Sequence, residues 1–514
     1  MRWSKKIISL FLIVIIGGLF FLQNKFKAEV ILAVATKLPE NIKLEYAKIH
    51  ANVFTGTVEL DSLLAKVFSE DKNLMTTLEA KHFKVEGFSV WQFLWNESIA
   101  INTIVFTQPQ LEYFSYSEKQ WAQKDTTAKT SFNKEITIDN VLVVNGALQV
   151  KDVDADQIVT SVDTIDFNVS GLQLNAETLE QKIPFNYQDY HLTTNQLFTN
   201  LSAYEFLRID NLSLENKVLQ LKNIFIETKF SKETLSSKIK VERDHVNLHI
   251  PEIVINKLDF GFHKNVFFVT ADSGNIEQPN LSIYRDKRVA EDMRIKNMYS
   301  KMLRDLPIDL SIHNLDVNNG NVAYAERVDA TTRAGAIFFK AVNANITNLG
   351  NGYKKGEETK IAVYSNFMGK APMHLDIHFD VSNTQDAFLA SGAFENFDAK
   401  IVNNFFETNL NAKSEGEIEQ IYFTFSGNTA SAKGDLKMKY EAFKFEILND
   451  KNKVNTFLTT IGNVFVNDGS KTDKDGFRHG EIAVDRNTTK SFFNYLWINV
   501  QSGLISTLTG TGSK

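Results

Sequence analysis

His374, Asp376 and His378 occupy alternate positions of HLDIH. They are residue types that bind transition metals, and on a β-strand all three would point to one side. The interleaved Leu375, Ile377 and Phe379 would form the other side. The trio therefore reads as the wet face of an amphipathic strand rather than as a metal site. His245 and His249, beside Val246 and Leu248, read the same way, and Asp305, Asp309 and Asp316 read as solvated groups near a turn. The C-terminal GTGSK lacks the first glycine of a phosphate loop at the right distance and reads as a frayed tail. No H-E-x-x-H, G-x-S-x-G or complete P-loop occurs. The 514 residues include no cysteine, which excludes disulfides, thiol nucleophiles and a thiol-linked lipid anchor. A formal net charge of −6 with no Lys/Arg run gives no reason to expect nucleic acid. The expectation is a protein that is not an enzyme and takes no metal or cofactor.

What the chain does repeat is an apolar pattern. ITIDNVLVVNGALQV (136–150) carries Ile138, Val141, Val143, Leu148 and Val150 around Asn145-Gly146. IAINTIVFTQPQLEY (99–113) carries Ile101, Ile104 and Phe106 ahead of Gln108-Pro109. LRIDNLSLENKVLQL (207–221) carries Ile209, Leu212, Leu214 and Leu219 around Glu215-Asn216. LSIHNLDVNNGNVAY (310–324) carries Ile312, Leu315 and Val317 ahead of Asn319-Gly320, and LHIPEIVINKLDF (248–260) is a looser copy. A two-residue step is strand alternation, whereas the three-residue step from Ile138 to Val141 slips the phase by one. A β-bulge that extrudes one residue restores the common face and bends the strand. With the turn signals that follow, each copy reads as a bulged hairpin with one apolar face.

The same alternation continues toward the C-terminus. Leu375, Ile377 and Phe379 alternate in MHLDIHFDV, and Phe423 and Phe425 in QIYFTFSG. Leu436, Met438 and Tyr440 alternate, slip, and resume at Phe443. Forty Phe and only 7 Pro supply apolar bulk with few interruptions to backbone pairing. The expected fold class is mainly β: an elongated, curved antiparallel sheet forming a U-shaped apolar groove, with an N-terminal transmembrane helix and a few boundary helices.

IISLFLIVIIGGLFFL (7–22), preceded by Arg2, Lys5 and Lys6, reads as an uncleaved signal anchor. No small-x-small cleavage site follows Leu22. The expected organisation is an anchor at 1–24, a first β-groove region at 25–284 and a helical connector at 285–307. A second β-groove region at 308–450 and closing helices with a strand at 451–514 complete it. Helices are expected at 398–413, 454–466 and 491–508. The bulk of the chain is placed in the periplasm, on one side of an inner membrane.

An apolar sheet face must be covered by a second layer or by something the chain does not encode. The amphipathic helices are too few for so many strands, so the expected occupant is a phospholipid acyl chain. The residues expected to line the groove are those named above in the repeated phrases and in strands 375–379, 423–425 and 436–438. Two other readings stand beside this one: an anchored scaffold that docks envelope partners, and a hydrolase with an unrecognised site.

LEYAKIHANVFTGTVELDSL with Gly56, the repeated phrases, DAKIVNNFF, EGEIEQIYFTFSG, KGDLKMKYEAFKFEIL and RNTTKSFFNYLWINVQSGL together resemble the AsmA-like proteins. Those proteins are similar to TamB and the bridge-like lipid-transfer proteins. The likeness is one of pattern along nearly the whole chain, clearest from Phe388 to Tyr440. Segments 285–307 and LGNGYKKGEE (349–358) depart from it. The resemblance implies an inner-membrane-anchored envelope protein whose β-groove serves phospholipid transport or outer-membrane biogenesis. It implies no catalytic residues.

Overall fold

The computed structural model describes residues 23–28, 31–32, 39–89, 98–116, 135–448 and 472–509. The anchor expected at 7–22 and the helix expected at 454–466 lie outside the described residues. Among the described residues, no helix is long and apolar enough to cross a membrane. The chain is mainly β, and it divides into two compact units: residues 1–200 with 208–221, and residues 201–207 with 222–514.

The first unit is built on β1 (Ile42–Glu45), β2 (Lys48–Asn52), β3 (Thr57–Phe68), β4 (Leu74–Glu86), β5 (Ser98–Thr107), β6 (Gln110–Ser115), β7 (Glu135–Asp152), β8 (Gln157–Leu174) and β9 (Asp189–Asn200). β1 and β2 both pair with β3, which pairs with β4, all antiparallel. β5 and β6 lie end to end between β4, antiparallel, and β7, parallel. β8 and β9 follow antiparallel. β10 (Glu205–Glu215) and β11 (Val218–Thr228) each have residues in both units.

The second unit continues with β12 (Asp244–Asn256), β13 (Asp259–His263), β14 (Val266–Glu277), β15 (Asn280–Asp286), β16 (Asp309–Arg327), β17 (Gly335–Gly350), β18 (Thr359–Phe367), β19 (Ala371–Phe379), β20 (Phe388–Asp398), β21 (Ala412–Gly427), β22 (Ser431–Ile447) and β23 (Arg478–Asp485). β14 and β15 lie end to end, antiparallel to β12 and parallel to β16. From β16 to β23 each strand pairs antiparallel with the next.

The pairing is therefore mixed, not purely antiparallel as expected. A parallel step needs a long crossover, and the segment expected to be a helical connector at 285–307 supplies one between β15 and β16. Only Tyr299–Arg304 of it is helical. Asp286 accepts from the Arg288 N–H at 3.1 Å, and Asp292 accepts from the Arg294 N–H at 3.2 Å. These i,i+2 side-chain-to-backbone bonds compete with helical ones.

The hairpin expectation also needs correction. Residues 136–150 lie within the single strand β7, and 310–324 within β16. The type I′ hairpin turn that Asn-Gly favours needs φ > 0 at both central residues. Asn145 (φ 56) and Asn319 (φ 51) have it, but Gly146 and Gly320 do not. Each Asn instead extrudes one residue and the strand runs on. Asn216 and Lys217 both have positive φ, 50 and 61, so only the 207–221 copy turns as a hairpin.

The bulges are arranged in register. Asn145 on β7 is matched by Thr164 (φ 51) on β8, and Asn319 on β16 by Ala341 (φ 49) on β17. Because both members of a pair extrude one residue, the register beyond the bulge is restored. A second pair of irregularities underlies the Ile138-to-Val141 slip. The ladder passes from Ile138↔Leu172 to Asn140↔Ser170 and skips Asp139 and Gly171, the latter at φ 63. It likewise skips His313 and Asn348 (φ 55) between β16 and β17.

The two units thus contain the same module. In each, a Gln-Pro pair interrupts one strand beside the Asn-Gly of its parallel neighbour. The Gln108 N–H donates to the Val144 carbonyl and the Ala147 N–H to the Pro109 carbonyl, both at 2.8 Å. The Gln278 N–H donates to the Asn318 carbonyl at 2.8 Å and the Asn321 N–H to the Pro279 carbonyl at 2.7 Å. Proline is tolerated inside these sheets because it sits at a break where no ladder N–H is needed.

The largest core lies at the C-terminal end, where the helix Phe492–Thr509 packs on β21, β22 and β23. The short helix Asn403–Asn409, preceded by a 3-10 turn at Ala399–Val402, falls within the expected 398–413. In the first unit Leu60, Leu63 and Ala80 form a small buried cluster, and Val162, Val169 and Leu172 are buried as well.

Candidate functional site

Residues paired directly across a ladder share a face, so the register can be followed from strand to strand. In the second unit one row runs Ile255, Gly274, Leu315, Ile346, Ile361, Ile377, Ala390, Phe425, Gly434, Ile482. Two residues along, a second row runs Ile253, Ile276, Val317, Ala344, Val363, Leu375, Gly392, Phe423, Leu436, Gly480. Neither contains a polar side chain. The row between them, on the opposite face, runs Val254, Asn275, Asp316, Asn345, Ala362, Asp376, Ser391, Thr424, Asp435, Glu481. At ~4.8 Å per strand, each apolar row is ~43 Å long.

The first unit has its own rows. Val58, Val85, Ile104, Val141, Val169 and Tyr190 form one. Ile49, Leu60, Phe83, Phe106, Val143, Phe167 and Leu192 form the next, in which the Phe83 and Phe106 rings lie 4.8 Å apart. Beyond the bulges, Leu148 stands in a row with Leu111 and Val162, and Val150 with Tyr113 and Thr160. Beyond the second irregularity, Ile101 pairs with Ile138, and in the other unit Ile312 pairs with Leu349.

Burial divides the expected lining residues into two groups. Phe425 and Leu436 are 1% exposed, and Ile377, Phe379, Phe423 and Met438 are also buried in the C-terminal core. At that end the chain covers its own apolar face. Gly503 makes the fit close, since a Cβ there would stand 2.7 Å from Leu436 Cβ and 2.9 Å from Ile482 Cγ1. Elsewhere the face is incompletely covered. Ile101, Ile104, Phe106, Ile138, Val141, Val143, Leu148, Val150, Ile312 and Val317 are all only half-buried. Leu375, also half-buried, packs at the margin of the C-terminal core. Ile209, Leu214 and Leu315 are buried, while Leu212 and Leu219 are half-buried.

The sequence reading missed a copy of the phrase at GNIEQPNLSIYRD (274–286), although its Gln-Pro repeats that of 108–109. Ile276 lies in this copy, and Ile253 and Ile255, which begin the long rows, lie in the looser copy 248–260 but were not among the expected lining residues. Charges sit away from the apolar rows. Arg285 bridges to Asp244 at 2.7 Å. Burial alone would raise the Glu205 pKa, but hydrogen bonds from Arg243 and Ser202 outweigh it and hold the carboxyl below its usual range. His374, Asp376 and His378 pair with β18 and β20 on the polar face. Among the described residues no group of three or more His, Asp or Glu could hold a metal. A hollow of about 300 Å³ beside Arg304, Tyr353 and Asp380 is polar and does not suit an acyl chain.

Neither a protein-family model nor a curated protein matches the chain.

Proposed function

We propose that this protein is a non-enzymatic lipid-binding and transfer protein of the cell envelope, holding phospholipid acyl chains on the half-buried apolar rows. The observation that carries the reading is a run of apolar residues, unbroken across successive strands within each unit, that is packed over at the C-terminal end and, among the described residues, only half-buried over much of its remaining length. At ~0.8 kcal/mol per CH₂, a ~16-carbon chain costs on the order of 13 kcal/mol to place in water. A continuous apolar track removes that cost at every step, and headgroups stay in solvent at its margin. Matched bulges bend successive strands in one sense, which favours a U-shaped groove over a flat sheet. The apolar run at 7–22 would anchor the chain in the inner membrane, with the remainder in the periplasm and the cargo moving between inner and outer membrane. The resemblance to AsmA-like proteins points the same way.

The scaffold alternative draws on the closed C-terminal core, which has the packing of an ordinary structural domain. Native mass spectrometry with lipid extraction of the purified full chain separates the two. Co-purifying phospholipid, displaced by added lipid, is the expected result; a chain free of lipid would leave the scaffold.

A further inference from the structure

The C-terminal helix, FFNYLWINVQSGLISTLT, contains no charged residue. Its inner face, including Tyr495, Leu496 and Gly503, is buried on the sheet. A flank is also occupied: the Glu481 N–H donates to Ser506 Oγ at 2.9 Å, and the Ala483 N–H to Ser502 Oγ at 3.4 Å, capping the backbone of β23. The remaining face would ordinarily carry charges. Here it presents Phe493, 66% exposed, with Trp497 and Ile505.

A second exposed apolar group adjoins it. The Tyr299 ring lies 5.0 Å from Phe492 and 6.0 Å from Phe493, and the Lys296 N–H donates to the Thr488 carbonyl at 2.8 Å. These contacts seat the segment Met293–Arg304 beside the start of the helix. Met293, Ile295 and Met302 of this segment are exposed, Ile295 to 74%. Every charge between Met293 and Arg304 is positive: Arg294, Lys296, Lys301 and Arg304. Asp292 and Asp305 pair with three of them and Asp386 with Arg304, so four cations face three carboxylates and one positive charge is in excess, in a chain of net charge −6.

We infer that this surface binds the interface of an anionic phospholipid bilayer, with the helix lying flat on it. Aromatic and aliphatic side chains beside Lys and Arg suit the boundary between acyl chains and anionic headgroups. A second copy fits less well, because a two-fold contact would bring the same cations together. The inference does not depend on lipid being carried along the sheet.

The absence of cysteine allows a direct test. Gln501→Cys, on the outer part of the helix, takes a single fluorescent donor in the full chain. The labelled protein is reconstituted in phosphatidylcholine vesicles and mixed with phosphatidylglycerol vesicles that carry an acceptor lipid. Energy transfer is expected with these and at least about tenfold weaker with phosphatidylcholine acceptor vesicles. Phe493→Ser with Trp497→Ser should reduce it by about tenfold or more, with the thermal midpoint unchanged. Three results would overturn the inference: no transfer to phosphatidylglycerol vesicles, equal transfer to neutral ones, or transfer that survives the double substitution. Lipid co-purification reads the apolar rows instead, so either proposal can fail without the other.

Discussion

Pro279 stands against Gly320 across a parallel strand pair, with room for nothing larger than hydrogen: a Cβ on Gly320 would lie 2.9 Å from the proline Cγ. The Asn321 N–H donates to the Pro279 carbonyl beside this contact, so neither strand can move away without losing a hydrogen bond. A change of ring pucker can shift Cγ, but the Pro279 carbonyl oxygen and Cδ, 3.3 and 3.4 Å from that Cβ, still crowd it. Gly320→Ala should therefore destabilise the fold by about 1–3 kcal/mol through overpacking. Gly146→Ala, placed 3.2 Å from Pro109 Cγ and 2.9 Å from Val143 Cγ1, should act in the same direction. Thermal unfolding of the two variants checks this, and an unchanged midpoint for Gly320→Ala would contradict the module described above.

Two substitutions of the same type should behave differently along the apolar face. Phe425 is packed beneath the C-terminal helix, and Phe425→Asp should unfold that end of the protein, at a cost of about 3–5 kcal/mol. Val143 is only half-buried, so an aspartate there can reach solvent. Val143→Asp should keep a near-normal circular dichroism spectrum while reducing bound phospholipid. A Val143→Asp protein that unfolds as readily as Phe425→Asp would place Val143 in a structural core and favour the scaffold reading.

Acid sensitivity should be traceable to Asp286. Arg288 Nε and Nη2 donate to its two carboxylate oxygens at 2.8 and 2.6 Å. This grip holds its pKa at about 2, against an ordinary value of 3.8. A carboxyl with a depressed folded pKa stabilises fully above its unfolded value, and the contribution is lost as pH falls through the folded one. The loss should fall between about pH 4 and pH 2 and amount to no more than about 2 kcal/mol, since Arg288 remains partly in solvent. Asp286→Asn should lower the thermal midpoint near neutral pH and flatten its decline over that window. Parallel pH profiles for the two proteins would contradict this assignment.

Strand alternation and its slips were legible in the sequence because each depends on the order of a few adjacent residues. The three-residue step from Ile138 to Val141 identified a real irregularity, now located at Asp139 and Gly171. Tyr440 and Phe443 likewise bracket Ala442, whose φ is 48. Topology was less legible. Asn-Gly serves equally as a hairpin turn or as a bulge, and what decides is the φ of the second residue, which the pair does not specify. Parallel pairing at β7 and β16 depends on partners distant in sequence. The charged segment 285–307 has helical composition, but Asp286 and Asp292 bond their own backbone two residues on and divert it. The lining residues divided for a similar reason: strand periodicity shows which side chains share a face, but not where the last helix will lie.

The central claim concerns the two faces of one strand, and adjacent residues can test it. Val317 stands in an apolar row and Asp316 in the polar row behind it; Val141 stands in an apolar row of the first unit and Asn345 in the polar row of the second. A photo-crosslinking amino acid at each position, activated in cells, reports what touches that face. Lipid adducts at Val141 and Val317, with none at Asp316 or Asn345, are the result this account predicts. Equal labelling of both faces, or protein adducts alone at Val141 and Val317, would contradict it.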